Sequence, residues 1–167
     1  MTTTRRAGAG VAIAAAIAVT SVLCGGLPAA AKDATPVSAA FTVDVSLSPR
    51  ALARLTQLRE GIVVSALYYG EATRAARKKA DEMGQIALGD EKALLPATGG
   101  RAAIRGANFD PRKVDWVVDR KAMVNINVFT ARRSDPNNLL SCDLFDDALT
   151  LAVAGPIPIS CKLIEEH

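Results

Sequence analysis

The chain has 167 residues, is 50% hydrophobic, and sets 20 basic against 17 acidic side chains for a formal charge of +3. That length suits one domain with its own core, and the near-balance of charge excludes a strongly basic nucleic-acid surface. A single histidine at the last position, His167, removes the usual base of a serine or cysteine triad and the usual ligand of a metal centre.

The first 31 residues carry the pattern of an export signal. Arg5 and Arg6 form a short positive region, Ala7 to Leu23 is uncharged and apolar, and Pro28 precedes Ala29, Ala30 and Ala31, whose small side chains suit a signal peptidase. The apolar run is shorter and poorer in large side chains than the ~20 apolar residues of a spanning helix, so cleavage near Ala31 with no stable membrane span is expected. Cys24 keeps lipidation as an alternative, although Leu23 and Ser21 are not the residues a lipoprotein signal prefers. Ala7, Gly8 and Ala9 behind the arginine pair favour general secretion over the twin-arginine route. The expected location is periplasmic or secreted, and loss of Arg5 and Arg6 brings the chain close to neutrality.

Lys32 to Ala40 reads as a flexible leader and 41–167 as a single domain. Phe41, Val43, Val45 and Leu47 alternate with polar residues, the period of a strand with one wet face. Ser48 as N-cap and Pro49 at the first helical position predict a short helix through Leu52, Leu55 and Leu58, closed at Glu60-Gly61. Ile62 to Tyr69 is apolar on both alternating sets, which predicts a central strand covered on both sides. Glu71 to Met83 fits either a surface helix or an ordered loop.

Gly84 to Gly89 and Glu91 to Leu95 read as two short strands, and Gly99-Gly100 as a tight turn before Arg101 to Arg105. Asp110-Pro111 predicts a turn or a capped helical turn leading to Trp116. Val124, Ile126 and Val128 alternate with Asn125, Asn127 and Phe129 as a half-exposed strand, followed by a loop from Arg132 to Asn138. Leu139 to Phe145, Leu149 to Val153 and Ile157 to Ile164 complete the set as strands, with Pro158 marking an edge or a strand start. The sum is an all-β fold: an antiparallel β-sandwich, immunoglobulin-like or transthyretin-like, with at most one or two short helices.

Once Cys24 leaves with the signal, Cys142 and Cys161 are one pair in an oxidising compartment, and a disulfide is expected. Two sulfurs without a neighbouring histidine do not complete a zinc shell. Asp143, Asp146 and Asp147 with Asp135, Asn137 and Asn138 offer oxygen ligands of the kind calcium takes, but their spacing is not that of a helix-loop-helix calcium loop, and they read as turn residues. No cofactor is expected. The basic clusters Arg74/Arg77/Lys78/Lys79, Arg112/Lys113, Arg120/Lys121 and Arg132/Arg133 are interleaved with acids and not with stacking aromatics, so no nucleic-acid partner is expected.

Tyr68, Tyr69, Trp116 and Phe129 divide between core packing and a patch for a partner. Asn125 and Asn127 share one strand face, and with Arg132, Arg133, Asp135 and Asn137 they form the candidate recognition surface. The expected function is that of a non-enzymatic, exported bacterial binding or envelope-accessory module with a protein or envelope partner. A secreted inhibitor of a protease or lysozyme, using the Arg132 to Asn138 loop, is the alternative. A carboxylate-dependent enzyme is a remoter one, requiring two acids facing across a cleft.

Overall fold

A computed structural model describes residues 39–166. The expected signal 1–31 with Cys24, most of the leader and His167 lie outside the described residues. In chain order the elements are β1 (Phe41–Leu47), α1 (Pro49–Leu58), β2 (Ile62–Glu71), a 3-10 helix (Arg74–Lys79), β3 (Gln85–Leu95) and β4 (Gly100–Ile104). Two further 3-10 helices follow (Pro111–Trp116 and Val118–Arg120), then β5 (Met123–Thr130), β6 (Leu140–Cys142), β7 (Phe145–Ala148), α2 (Leu149–Ala152) and β8 (Ile157–Leu163).

The strands form two four-stranded sheets, β4-β1-β8-β6 and β3-β2-β5-β7. Their inner faces share one apolar core in which Val43 and Ile159 of the first sheet and Val64, Tyr68 and Ile126 of the second are essentially inaccessible to water. The fold is all-β. It is not purely antiparallel, however, because β1 and β8 pair in parallel with Val43 opposite Ile157 and Leu47 opposite Cys161. A parallel neighbour needs a long crossover, and here nearly the whole domain lies between the two strands.

Local chemistry explains the first connection. Ser48 Oγ accepts from Ala51 N at 3.0 Å and Pro49 supplies a pre-set first turn, so α1 starts where the sequence marks it. It ends because Arg59 adopts a left-handed φ of 52° and the Glu60 amide donates back to Leu55 O at 2.9 Å. Ala51 and Leu55 are fully buried, and burial of such a leucine stabilises by about 2 kcal/mol.

Several segments differ from the sequence reading. Gln85 to Leu95 is one strand, not two, and Gly89 lies inside it at a register shift opposite Tyr68/Tyr69. There the backbone takes φ 138°, and a Cβ would stand 2.0 Å from Asn108 O, so only glycine admits the neighbouring loop. Leu139 to Phe145 is divided between the sheets: β6 stops at Cys142 because Asp143 turns to bond Ser160 through both its amide and its carboxylate, and β7 begins on the other sheet at Phe145.

Leu149 to Val153 is helical, not a strand. Its buried residues Leu149 and Ala152 are three apart, the spacing of a helix face, and the alternating Leu151 and Val153 are exposed. Glu71 to Met83 contains a 3-10 helix capped by the Thr73 hydroxyl, followed by a turn. Pro158 sits at the start of β8, before β6 begins to pair. Finally, β2 is central, but among the described residues its outer face is only partly covered: Val63 is buried there while Leu67 is 46% exposed.

Candidate recognition surface

The open face of the β3-β2-β5-β7 sheet carries two of the sequence-predicted residues, and the loop at its end carries the other four. On β5, Asn125 and Asn127 point outward with Met123 and Phe129, while Val124, Ile126 and Val128 point into the core. Register places Asn127 beside Ser65 and Lys92, and Asn125 beside Leu67, Asp90 and Asp146. Neither asparagine side chain makes a hydrogen bond within the described residues. Leu67 and Leu94 are exposed on the same face, and Tyr69 and Phe129 are half-buried there.

Tyr69 reaches across β5 to donate its hydroxyl to Asp146 Oδ1 at 2.6 Å. That hydrogen bond, followed by burial and the charges of Asp146 and Asp147, pushes the phenol up to about 12. The other aromatics are divided. Tyr68 is core, stacked edge-on against Phe41 and Phe109 with its hydroxyl bonded to Ala39 O at 3.1 Å, whereas Trp116 is half-buried beneath Lys79 Nζ at 4.4 Å.

Arg132, Arg133, Asp135 and Asn137 stand on the loop that follows β5, at one end of this face. Its geometry is set from below by Glu60, which in the sequence marks only the end of the first helix. The carboxylate is 1% exposed; Oε1 accepts from Gly61 N at 2.9 Å and Oε2 from Arg133 N at 2.9 Å, Ser134 N at 2.8 Å and Ser134 Oγ at 2.6 Å. Burial alone would raise its pKa, but these donors outweigh it and hold the carboxyl down at about 2.

The far side of the loop is tied by Asn138, whose Oδ1 accepts from Thr130 N at 3.0 Å and Leu140 N at 3.1 Å while Nδ2 donates to Leu140 O at 2.7 Å. Between these anchors Arg132 takes a left-handed φ of 57° and lays its guanidinium 5.9 Å from the Phe129 ring centre. Asn125 and Asn127 thus share the sheet face, with the Arg132/Arg133 loop at its edge. Asp135 turns aside to accept from Asn137 N at 2.9 Å.

The acids considered as calcium ligands are spent separately. Asp143 holds Ser160 N, Asp146 holds Tyr69, Asp147 holds its neighbour Ala148 N, and Asn138 spans the loop base. At the opposite end of the face a cleft of about 940 Å³ opens, lined among others by Tyr69, Glu71, Arg77, Asp81, Lys121 and Met123. Both signs of charge line it.

Cys142 and Cys161 face each other directly in the β6–β8 ladder with S–S 2.05 Å and Cα atoms 4.0 Å apart. The bond joins neighbouring strands of one sheet. A cysteine pair at bonding distance is compatible with an oxidising compartment, and no helix among the described residues is long and apolar enough to cross a membrane. Compared with protein-family models, with curated proteins and with solved structures, the chain finds no match in any of the three.

Proposed function

We propose that this is an exported, non-enzymatic binding module of the bacterial envelope, built as a β-sandwich of the immunoglobulin-like or transthyretin-like kind, with the open face of the β3-β2-β5-β7 sheet and the 132–138 loop as its recognition surface. The observation that carries the reading is the face itself: exposed Leu67 and Leu94 flank two asparagines whose amides have no partner among the described residues. Apolar area beside uncommitted hydrogen-bonding groups is the composition of a contact surface.

The carboxyls that depart from their ordinary range, Asp44, Glu60, Asp110 and Glu166, all depart downward, tied to donors that keep them ionised. That supports structural anchoring over proton donation. The test is affinity capture from envelope extract with the purified protein and its Asn127→Arg variant. A protein retained by the first and lost by the second, at equal thermal stability, is the expected result. Nothing retained above background, with turnover of a small substrate, overturns it.

One observation favours the inhibitor reading as the second: the loop is held rigidly at both ends, by Glu60 and by Asn138, and rigid loops bind at low entropic cost. Inhibition of a protease or lysozyme at micromolar concentration, abolished by substitution of Arg132 or Arg133, is its signature. A screen without inhibition removes it.

A further inference from the structure

We propose that the open face of the β3-β2-β5-β7 sheet is built to pair with a second copy of this chain; the inference rests on the reading of that face as a recognition surface and names its partner. The argument comes from the order of residues along it. Lys92, Ser65 and Asn127 form one row across the strands, and Asp90, Leu67, Asn125 and Asp146, the last already bonded to Tyr69, form the next. Outside these lie exposed Leu94, buried Val63 and half-buried Phe129 on one side and Ala87, Tyr69 and Met123 on the other. The sequence of rows is therefore apolar, basic-amide, acidic-amide, apolar.

A two-fold axis parallel to the sheet and just above its open face, running across the strands between the two middle rows, inverts that order. Each strand then lies antiparallel over its own counterpart. Lys92 faces Asp90 of the second copy and Asp90 faces its Lys92, Asn127 faces Asn125, and Phe129 faces Met123. Such an isologous contact makes every pairing twice. The usual crossing of about 30° between packed sheets preserves the central pairings.

Three features fit this occupant. Neither Lys92 nor Asp90 belongs to an ion pair among the described residues, where the pairs are Arg101–Asp44, Arg112–Asp110 and Arg120–Asp115. An asparagine amide carries both donor and acceptor, so a pair of them satisfies each other without a foreign group. And a face with lysine and aspartate in adjacent rows is complementary to itself on inversion, whereas a face of one sign would repel its copy.

Sedimentation equilibrium of the purified protein over a concentration series tests the proposal. The expected result is a monomer–dimer equilibrium whose dissociation constant rises about tenfold or more in Lys92→Asp and again in Asp90→Lys, because each places like charges in contact twice. The double exchange Asp90→Lys with Lys92→Asp restores the pairs, and dimerisation recovers. A protein that stays monomeric at every concentration, a dimer indifferent to Lys92→Asp, or a double exchange without recovery each overturns the idea. If the protein is monomeric yet captures an envelope protein through Asn127, the recognition reading stands and only the second copy falls.

Discussion

The Ser134 hydroxyl lies 2.6 Å from Glu60 Oε2, joining the end of the first helix to a loop 74 residues further along the chain. Because Glu60 is buried and accepts from three backbone amides besides this hydroxyl, it is an internal anchor. Glu60→Ala leaves those donors unpaired and is expected to cost about 2–4 kcal/mol. Urea denaturation measures the loss, and hydrogen exchange at the Arg133 and Ser134 amides shows whether the loop has come free. Protected amides at those positions in the variant would contradict the anchoring role.

The same carboxyl gives a pH dependence with a definite sign. Its pKa is about 2 when folded against 4.5 as the ordinary value, so the unfolded chain binds the proton more readily. The stabilisation is therefore fully present above the unfolded pKa and lost as pH falls from 4.5 towards 2. At about 1.4 kcal/mol per pKa unit it amounts to a few kcal/mol. Glu60→Gln is expected to flatten the acid limb of a stability profile in that window.

Cys142 and Cys161 close a sequence separation of 19 across a β6 strand only three residues long. The cross-link is expected to stabilise by about 3 kcal/mol in the chain-entropy picture. Cys142→Ser, or reduction, should lower the melting temperature accordingly while capture through the distant open face persists. Thiol titration without reductant, finding none in the native protein, checks the bond directly.

Gly89 and Gly155 form a matched pair for backbone substitution. Gly89→Ala is expected to cost about 3 kcal/mol or more, since its Cβ would collide with Asn108 O at a φ of 138°. Gly155→Ala meets nothing within 4 Å and should stay within about 0.5 kcal/mol of the parent. Thermal melts of the two variants decide it.

Tyr69 provides a spectroscopic check of the open face. With its phenol pushed up to about 12 by Asp146, against an ordinary 10.0, and with burial raising Tyr68 further, neither tyrosine should ionise near its usual pH in the folded protein. Asp146→Asn is expected to bring one of the two back towards 10 in an absorbance titration. No change would show that the Tyr69–Asp146 bond does not form in solution.

Much of the local structure follows from local chemistry. Ser48-Pro49 specifies the start of α1, the alternation at Phe41–Leu47 and Met123–Thr130 specifies strands with an inner and an outer face, and Cys142 with Cys161 is the pair that remains if Cys24 leaves with the expected signal. What failed were inferences from a short apolar period. Leu149 to Val153 alternates like a strand, yet Leu149 and Ala152 are buried at helical spacing, a choice made by the core beneath them. Ile62 to Tyr69 is apolar on both faces, but no element among the described residues covers Leu67.

Glu60 was illegible for a related reason. A glutamate before a glycine at a helix end looks like any solvated stop, and its importance depends on donors 73 and 74 positions away. Alternation fixes which residues share a strand face, because the period of two is a property of the backbone. Sequence alone therefore determined the strands with a clear two-residue alternation, β1 and β5, together with the first helix. Only tertiary structure decided strand order, the parallel β1–β8 pair and the side-by-side placement of Lys92, Asp90, Asn125 and Asn127, because strand register joins residues that no local pattern connects.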